Sequence, residues 1–146
     1  MIGKNHKSAI GTIVERKSRD TLIVKLKSKK ADEKAKMFSK KLNQLQKIVK
    51  KSMTYDNGIE MARHEKITKK PDMKIYFAHP YFSKQRGTNE NTNGLIRRYL
   101  PKGTDFNKID ERSLRIIQEK LNNRPRKIIG FKTPQEMMGS ELKKIA

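Results

Sequence analysis

Apolar and polar positions alternate near the start of the chain and then change to a helical period. Residues 10–14 form a short apolar run, and in Thr21–Leu26 the apolar side chains alternate, which predicts two strands. Residues 16–20 are predicted to form the turn between them, so we expect a β-hairpin. From residue 31 apolar side chains recur every three or four positions, which predicts a helix. The stripe of this helix contains Ala31, Ala35, Phe38, Leu42, Leu45 and Val49.

Strands and helices are predicted to alternate in the rest of the chain. Two-residue alternation predicts strands over 52–56 and 73–77. Helices are predicted over 61–70, 89–100 and 110–122. A further helix is predicted to start where Thr133 is followed by Pro134 and Glu136, an N-cap with a capping box. The order of elements predicts one α/β domain with a mixed sheet covered by helices.

The charge of the chain indicates what kind of partner it has. Lys and Arg number 36 against 15 Asp and Glu, a net charge of +21 over 146 residues. This favours a polyanionic partner, nucleic acid before an anionic membrane.

The absence of cysteine excludes disulfide scaffolds, thiolate zinc sites and thiol nucleophiles. No apolar run is long enough for a signal peptide or a membrane span, so we expect a cytoplasmic protein.

Asp56 stands at the end of a predicted strand, directly before Asn57 and Gly58. In open α/β sheets, functional sites collect at the carboxyl ends of strands. The same three residues are also common in turns. Considered alone, this position therefore favours a turn.

Glu90 lies in the third predicted helix after the hairpin, over 89–100. At about 100° per residue, it shares a polar face with Asn93 and Arg97, and Leu95 and Tyr99 fall on the opposite, packed side. A solvated helix face is an alternative interpretation of this pattern. Three Asn within five residues lower the helix propensity, so we expect other contacts to hold this segment.

Together, Asp56 and Glu90 are candidate ligands of a divalent cation. Mg²⁺ binds one or two carboxylates and keeps water and phosphate oxygens as its other ligands. Two such ions about 4 Å apart would act on the attacking and leaving oxygens of a phosphodiester. The positive net charge suits a nucleic acid substrate.

Two basic stretches are candidate nucleic acid contacts. Residues 25–51 contain eleven Lys and two acids, a pattern that is usually a solvated face. Residues 122–127 combine Arg124, Arg126 and Lys127 with Asn and Pro, which more often marks a contact with phosphate. The few aromatic residues are not interleaved with these charges, so stacking on single-stranded bases has little support.

Longer motifs resemble the integrase and transposase catalytic core, and more closely the transposases of the insertion sequence thirty family. They are His79-Pro80-Tyr81, Asp56-Asn57-Gly58, Asn89-Glu90-Asn91-Thr92-Asn93-Gly94-Leu95-Ile96-Arg97 and the segments at 3–7, 15–19, 101–106 and 121–127. The resemblance covers nearly the whole chain. It implies a ribonuclease H-like α/β fold, with a mixed sheet and helices on both faces.

The resemblance also implies an active site and a reaction. Asp56 would be the second acid and Glu90 the third acid of a DDE site, both of them metal ligands, for two Mg²⁺ (or Mn²⁺) ions. The implied reaction is cleavage of DNA at transposon ends, after which the freed 3′-OH attacks target DNA without a covalent enzyme–DNA intermediate. The residues expected to contact DNA are Lys84, Arg86, Asn93, Arg97, Arg98, Lys102, Arg124, Arg126 and Lys127.

One departure from the family pattern concerns the first acid. The resemblance places it on the first strand, a few positions before Met1, and places a helix-turn-helix region further upstream. We therefore expect residues 1–146 to be a partial catalytic core with a truncated first strand, inactive by itself. An exposed hairpin edge would leave the isolated chain marginally stable.

The expected partners are transposon-end and target DNA, a second copy of the chain, or an intact transposase, in the nucleoid of a bacterial cytoplasm. Two alternatives stay open at this point. One is a non-catalytic basic DNA-binding protein that inhibits an intact transposase. The other is a basic RNA- or ribosome-associated protein, which rests on charge alone and does not explain Asp56 and Glu90.

Overall fold

The computed structural model describes residues 1–4, 8–26, 31–45, 52–55, 74–77 and 87–144. Within these ranges the chain forms strands, α-helices and short 3₁₀ turns at Phe106–Lys108 and Lys127–Ile129. In chain order the longer elements are β1 (Ala9–Val14), β2 (Thr21–Leu26), α1 (Ala31–Asn43), β3 (Ser52–Tyr55), β4 (Lys74–Phe77), α2 (Gly87–Ile96), α3 (Glu111–Asn122) and α4 (Pro134–Lys143).

The predicted hairpin is confirmed. β1 pairs antiparallel with β2 in a register that places Ala9 opposite Leu26 and Val14 opposite Thr21. The carboxylate of Glu15 holds the turn, because it accepts hydrogen bonds from the backbone of Ser18 and from its hydroxyl, at 2.5 and 2.7 Å. Burial disfavours the charged form of Glu15, but the hydrogen bonds from Ser18 outweigh it and lower its pKa.

β3 and β4 form a second, parallel pair, with Ser52 opposite Lys74 and Tyr55 opposite Phe77. Both predicted strands are therefore confirmed over these residues, and the predicted end positions 56 and 73 lie outside the described residues. Within the described residues the two pairs are separate two-stranded sheets, one antiparallel and one parallel. Met53 of β3 packs against the apolar cluster beneath the hairpin, so the two pairs share a core.

The hairpin is covered by helices on both faces, as expected for this fold class. Side chains alternate along β1, so Ala9 faces one way and Ile10 the other. Ala9 joins a cluster beneath α1, and Ile10 joins a cluster beneath α2 and α3. The first cluster is Ala9, Val24, Leu26, Ala35, Phe38 and Leu42. The second is Ile10, Ile23, Ile96, Leu100, Phe106, Leu114, Ile117 and Leu121.

The predicted stripe of α1 is confirmed at Ala35, Phe38 and Leu42, which are buried. Leu45 is partly buried beyond the end of the helix, and Val49 lies outside the described residues. Gly11 of β1 is essential to this packing. A Cβ atom there would collide with the ring of Phe38, so only glycine lets the ring lie against the strand.

The two outer edges of the hairpin differ. On the β2 side, Asn122 of α3 accepts from the backbone N–H of Thr21 and donates to its carbonyl, both at 2.9 Å. On the β1 side, Ile10 exchanges two hydrogen bonds with Met1, at 2.7 and 3.0 Å. Backbone groups alternate in direction along a strand, so the N–H and C=O groups of Thr12 and Val14 point away from β2, as those of Ile10 do. No strand among the described residues pairs with them there.

The ends of the later helices depart from prediction in part. α2 begins at Gly87 and ends at Ile96, so the predicted end at residue 100 is wrong. The chain tightens there, because Tyr99 N–H donates to the Ile96 carbonyl at 3.0 Å in a three-residue turn. Asp110 is the N-cap of α3, and the capping box of Thr133 and Glu136 is confirmed.

The helix predicted over 61–70 lies outside the described residues. No helix that the structure describes has the length and apolar character needed to cross a membrane.

Candidate functional site

Glu90 lies on the first turn of α2 with its side chain exposed. It forms no hydrogen bond or ion pair with any described residue. Its neighbours Asn91 and Gly94 are also exposed, and nothing lies within 4 Å of a Cβ built on Gly94. The carboxylate is therefore accessible to a cation or to a large ligand.

The flank of α2 beside Glu90 is bonded to the hairpin through polar side chains. The hydroxyl of Thr12 on β1 lies 3.1 Å from Oδ1 of Asn89 and 3.0 Å from Oδ1 of Asn93. A hydroxyl carries one proton, so it donates to one of these oxygens. The second bond forms when the other Asn presents its amide N–H₂ to the hydroxyl oxygen. Thr12 thus fixes two successive turns of the helix that carries Glu90.

A second contact fixes the N-terminus of α2. The guanidinium of Arg19, in the hairpin turn, donates to the hydroxyl of Thr88. Arg19 adopts φ 66°, in the left-handed region that non-glycine residues rarely occupy. Thr92 donates to the Thr88 carbonyl at 2.9 Å. These bonds are the additional contacts that the Asn-rich sequence led us to expect.

The predicted packing of α2 is correct in part. Asn93 lies one turn after Glu90, as predicted, and its side chain contacts Thr12, while the buried positions are Thr92 and Ile96. Leu95 does pack partly against the core, but Tyr99 is 40% exposed. The reason is that the helix ends at Ile96, so the 100° rotation does not extend to Tyr99.

Asp56 lies outside the described residues, directly after the end of β3 at Tyr55. Lys84, Arg86 and the three His of the chain also lie outside them. Among the residues that are described, no three His, Asp or Glu side chains converge into a metal site. The pairing of Asp56 with Glu90 therefore stays a prediction.

Arg97 makes contacts within the protein. Its guanidinium donates to the carbonyls of Pro101 and Ile2, at 3.2 and 3.1 Å, and lies over the ring of Phe106. It thus links the end of α2 to the N-terminal segment. The other two cations predicted in this region, Arg98 and Lys102, are exposed.

The predicted C-terminal basic stretch forms a compact loop after α3, which we call the 124–132 loop. The Arg126 N–H donates to the Lys132 carbonyl at 3.0 Å, and the Phe131 N–H donates to the Arg126 carbonyl at 2.9 Å. Arg124 and Lys127 are exposed and Arg126 is half-buried. Burial, together with the positive charge of Arg124, lowers the pKa of Arg126. Its guanidinium donates to the Leu121 carbonyl at 3.1 Å.

Four residues that the structure singles out were not predicted to have a role. Thr12 and Arg19 anchor α2; Thr12 lies in none of the quoted motifs, and the motif at 15–19 gives no role for Arg19. Ile128 and Phe131 belong to an apolar run that resembles core sequence, yet they are 71% and 70% exposed. Only the folded loop reveals that they face solvent.

The chain resembles several insertion sequence transposases along most of its length. It is 48% identical over 136 residues to the transposase for insertion sequence element IS4351 of Bacteroides fragilis, covering 93% of this chain and 41% of that protein. It is 43% identical over 138 residues to transposase InsI for insertion sequence element IS30A of Escherichia coli (strain K12), covering 94% and 36%. The chain thus spans about two fifths of the length of these relatives. No protein-family model matches it.

Solved structures with the same fold are integrase cores. The catalytic core domain of BIV integrase superposes with a TM-score of 0.72 at 21% identity, covering 99% of this chain and 93% of that one. A chain of the simian T-cell lymphotropic virus intasome, in complex with a PP2A regulatory subunit, also gives 0.72, at 17% identity. It covers 93% of this chain and 50% of that one. The predicted ribonuclease H-like α/β class is therefore confirmed. Over the part of them that it spans, the chain is a homologue of the IS30-family transposases, with the fold of an integrase catalytic core.

Proposed function

We propose that this chain forms the catalytic-core part of a transposase that cleaves DNA at transposon ends and joins it to target DNA. In this proposal Asp56 and Glu90 supply two of the acids of the active site. The observation that carries it is the exposure of Glu90 on a helix that Thr12 bonds to the hairpin through the flanking Asn89 and Asn93. A carboxylate on a firmly held helix is suited to positioning a cation against a DNA backbone.

The residues fit a hard divalent cation such as Mg²⁺ or Mn²⁺. The donor set is carboxylate oxygen, which these ions prefer, and Glu90 has no competing partner among the described residues. When bound, two ions would activate the attacking oxygen and stabilise the leaving oxygen of a phosphodiester. Asp56 and Glu90 would hold them, while exposed cations of the chain bind the flanking phosphates.

We further propose that catalysis requires a third carboxylate from outside residues 1–146, and that this chain by itself does not cleave DNA. Two carboxylates without a third ligand bind a divalent cation weakly, and they repel each other when they lie close together. The partners under this proposal are two DNA ends, target DNA and at least one further transposase chain. The proposed location is the nucleoid of a bacterial cytoplasm.

A chimera tests the catalytic assignment. The aligned part of the E. coli IS30A relative, 43% identical, is replaced by this chain, and cleavage of the relative's own element ends is measured in Mg²⁺. We expect cleavage that Asp56→Asn or Glu90→Gln abolishes. Glu119→Gln, an exposed Glu on α3, is the matched control and should retain activity. Full activity of the Glu90→Gln chimera would refute the assignment.

The alternative is a non-catalytic DNA-binding protein. The observation that favours it is the 124–132 loop, whose exposed Arg124 and Lys127 suit phosphate binding regardless of any metal. It predicts DNA binding by this chain that Asp56→Asn and Glu90→Gln leave unchanged, together with a chimera that never cleaves. The chimera experiment therefore separates the two functions.

A further inference from the structure

Two large apolar side chains project from the 124–132 loop. Ile128 and Phe131 are 71% and 70% exposed, more than any other large apolar residue that the structure describes as exposed. They contribute little to the core, since most of each side chain is in water. Two such exposed apolar side chains within four residues of one loop are a candidate contact surface, since exposed apolar patches are typical of interaction sites.

The backbone beneath Phe131 is held in an unfavourable conformation. Phe131 has φ 61° and follows Gly130 at φ 67°, so two successive residues are left-handed. A bulky side chain in this region is a true outlier. Burial does not hold it there, since its side chain is exposed. The hydrogen bonds that join Arg126 to Phe131 and Lys132 maintain it instead. Such strain is typical of residues that a site requires.

The charges around these side chains indicate the occupant. Residues 120–132 contain five cations, Lys120, Arg124, Arg126, Lys127 and Lys132, and no acid. A second copy of this chain, with a net charge of +21, would bring like charge to the same surface. A polyanion matches the surface, and among polyanions a nucleic acid also offers apolar faces, those of its bases.

We infer that Ile128 and Phe131 contact the faces of DNA bases, while the surrounding Arg and Lys bind the adjacent phosphates. This inference rests on the proposed function and deepens it, because it assigns base contacts to a loop distinct from Asp56 and Glu90. Two sources offer such faces. Apolar wedges insert between stacked base pairs of a duplex, and aromatic rings stack on unpaired bases.

A single-tryptophan reporter tests the inference. The chain contains no Trp, so Phe131→Trp gives one emitter at the proposed contact, and Ile116→Trp gives one at an exposed position on α3. Duplex and single-stranded oligonucleotides are titrated, with heparin as a polyanion that lacks bases. We expect DNA to quench the emission from position 131, DNA to leave position 116 unchanged, and heparin to quench neither. Whichever oligonucleotide quenches at lower concentration identifies the source of the bases.

Affinity supplies a second measurement. Phe131→Ala should weaken DNA binding roughly five-fold or more, from the usual contribution of base stacking, and leave heparin binding unchanged. Ile116→Ala is the control. Equal quenching by heparin, equal quenching at position 116, or unchanged DNA affinity of Phe131→Ala would overturn the inference. So would a DNA-free dimer that Phe131→Ala dissociates, because the loop would then join two copies.

The outcome is independent of the catalytic assignment. If the chimera fails to cleave while DNA quenches position 131, the base contact stands and the proposed catalysis fails. If the chimera cleaves and DNA does not quench position 131, the proposed catalysis stands and the base contact fails.

Discussion

At the scale of single residues, the least predictable feature is the hydroxyl of Thr12. The motif around Glu90 marks this residue in the sequence, but nothing in the sequence indicates which contacts hold the helix that carries it. Thr12 lies 77 residues from Asn89 in sequence, and only the fold brings them within 3.1 Å. Local periodicity carries no information about such long-range polar contacts. With Asn89 and Asn93 held against Thr12, Glu90 lies on the solvent-facing side of the helix.

Replacing Thr12 with Val removes the hydroxyl and keeps the shape and strand propensity of the residue. Asn89 and Asn93 then lose their common partner, and we expect a loss of about 1–2 kcal/mol in the free energy of unfolding. Urea denaturation measures it. Thr54→Val, at an exposed position on β3, is the matched control and should change stability by less than about 0.5 kcal/mol. Equal effects of the two variants would contradict the assigned role of Thr12.

Asp20 gives a pH dependence to the hairpin turn. Burial, with the charge of Glu15, raises its pKa from 3.8 to about 6. The folded chain therefore binds this proton more tightly than the unfolded chain does. Its contribution to stability is greatest below pH 3.8 and is lost as the pH rises to about 6.

We expect Asp20→Asn, which mimics the neutral acid, to stabilise the fold by about 1–2 kcal/mol at pH 7.5 and by little at pH 4. Thermal or urea unfolding at the two pH values measures this difference. Glu119→Gln, which is exposed, should show no such dependence. Equal stabilisation by Asp20→Asn at pH 4 and pH 7.5 would show that Asp20 is ionised at both pH values, which would contradict its raised pKa.

At the scale of elements, regular local patterns were predicted well and their ends less so. β2 and the capping box of α4 match the prediction, because alternation and N-cap chemistry are written in neighbouring residues. The end of α2 does not match, because a local turn and a tertiary contact lie there: Arg97 donates to the nearby Pro101 carbonyl and to the carbonyl of Ile2, 95 residues away in sequence. Asn122 was expected next to a DNA contact. It is buried instead, and it pairs with both backbone groups of Thr21.

Asn122→Ala should therefore destabilise the hairpin strongly. It leaves the Thr21 N–H and carbonyl buried without partners, and we expect a loss of about 2–4 kcal/mol. Asn123→Ala, at the exposed neighbouring position, is the control and should cost less than about 0.5 kcal/mol. Exchange of the Thr21 amide hydrogen should accelerate in Asn122→Ala and not in Asn123→Ala. Unchanged protection of that amide would mean that Asn122 does not cover the β2 edge.

At the scale of the whole molecule, two properties act together: a net charge of +21 and an edge of β1 that no described strand covers. Self-repulsion of the charge reduces stability, and so do the backbone groups of Thr12 and Val14, which pair with no described strand. We expect thermal unfolding at low salt below the mesophilic range of about 45–65 °C, and a rise in Tm when a polyanion is added. A cooperative transition within that range without polyanion would contradict this expectation.

The fold class could be predicted because several motifs resembled one family along nearly the whole chain. The site could be predicted only as residue identities. Motifs name Asp56 and Glu90, but the distance between them depends on how β3 and α2 pack, which sequence patterning does not determine. The exposure of Phe131 could not be predicted either. Patterning predicts that an apolar run is buried, and only the geometry of the loop shows that this one is exposed.

The central claim is that Asp56 and Glu90 are ligands in the same divalent-cation site. Mn²⁺ tests it directly, because it broadens the amide resonances of nearby residues in a ¹⁵N-labelled chain. We predict that substoichiometric Mn²⁺ broadens the amides around positions 56 and 90 before others. We also predict that the Asp56→Asn, Glu90→Gln double variant abolishes this effect. Broadening that is centred elsewhere, or that survives in the double variant, would contradict the account.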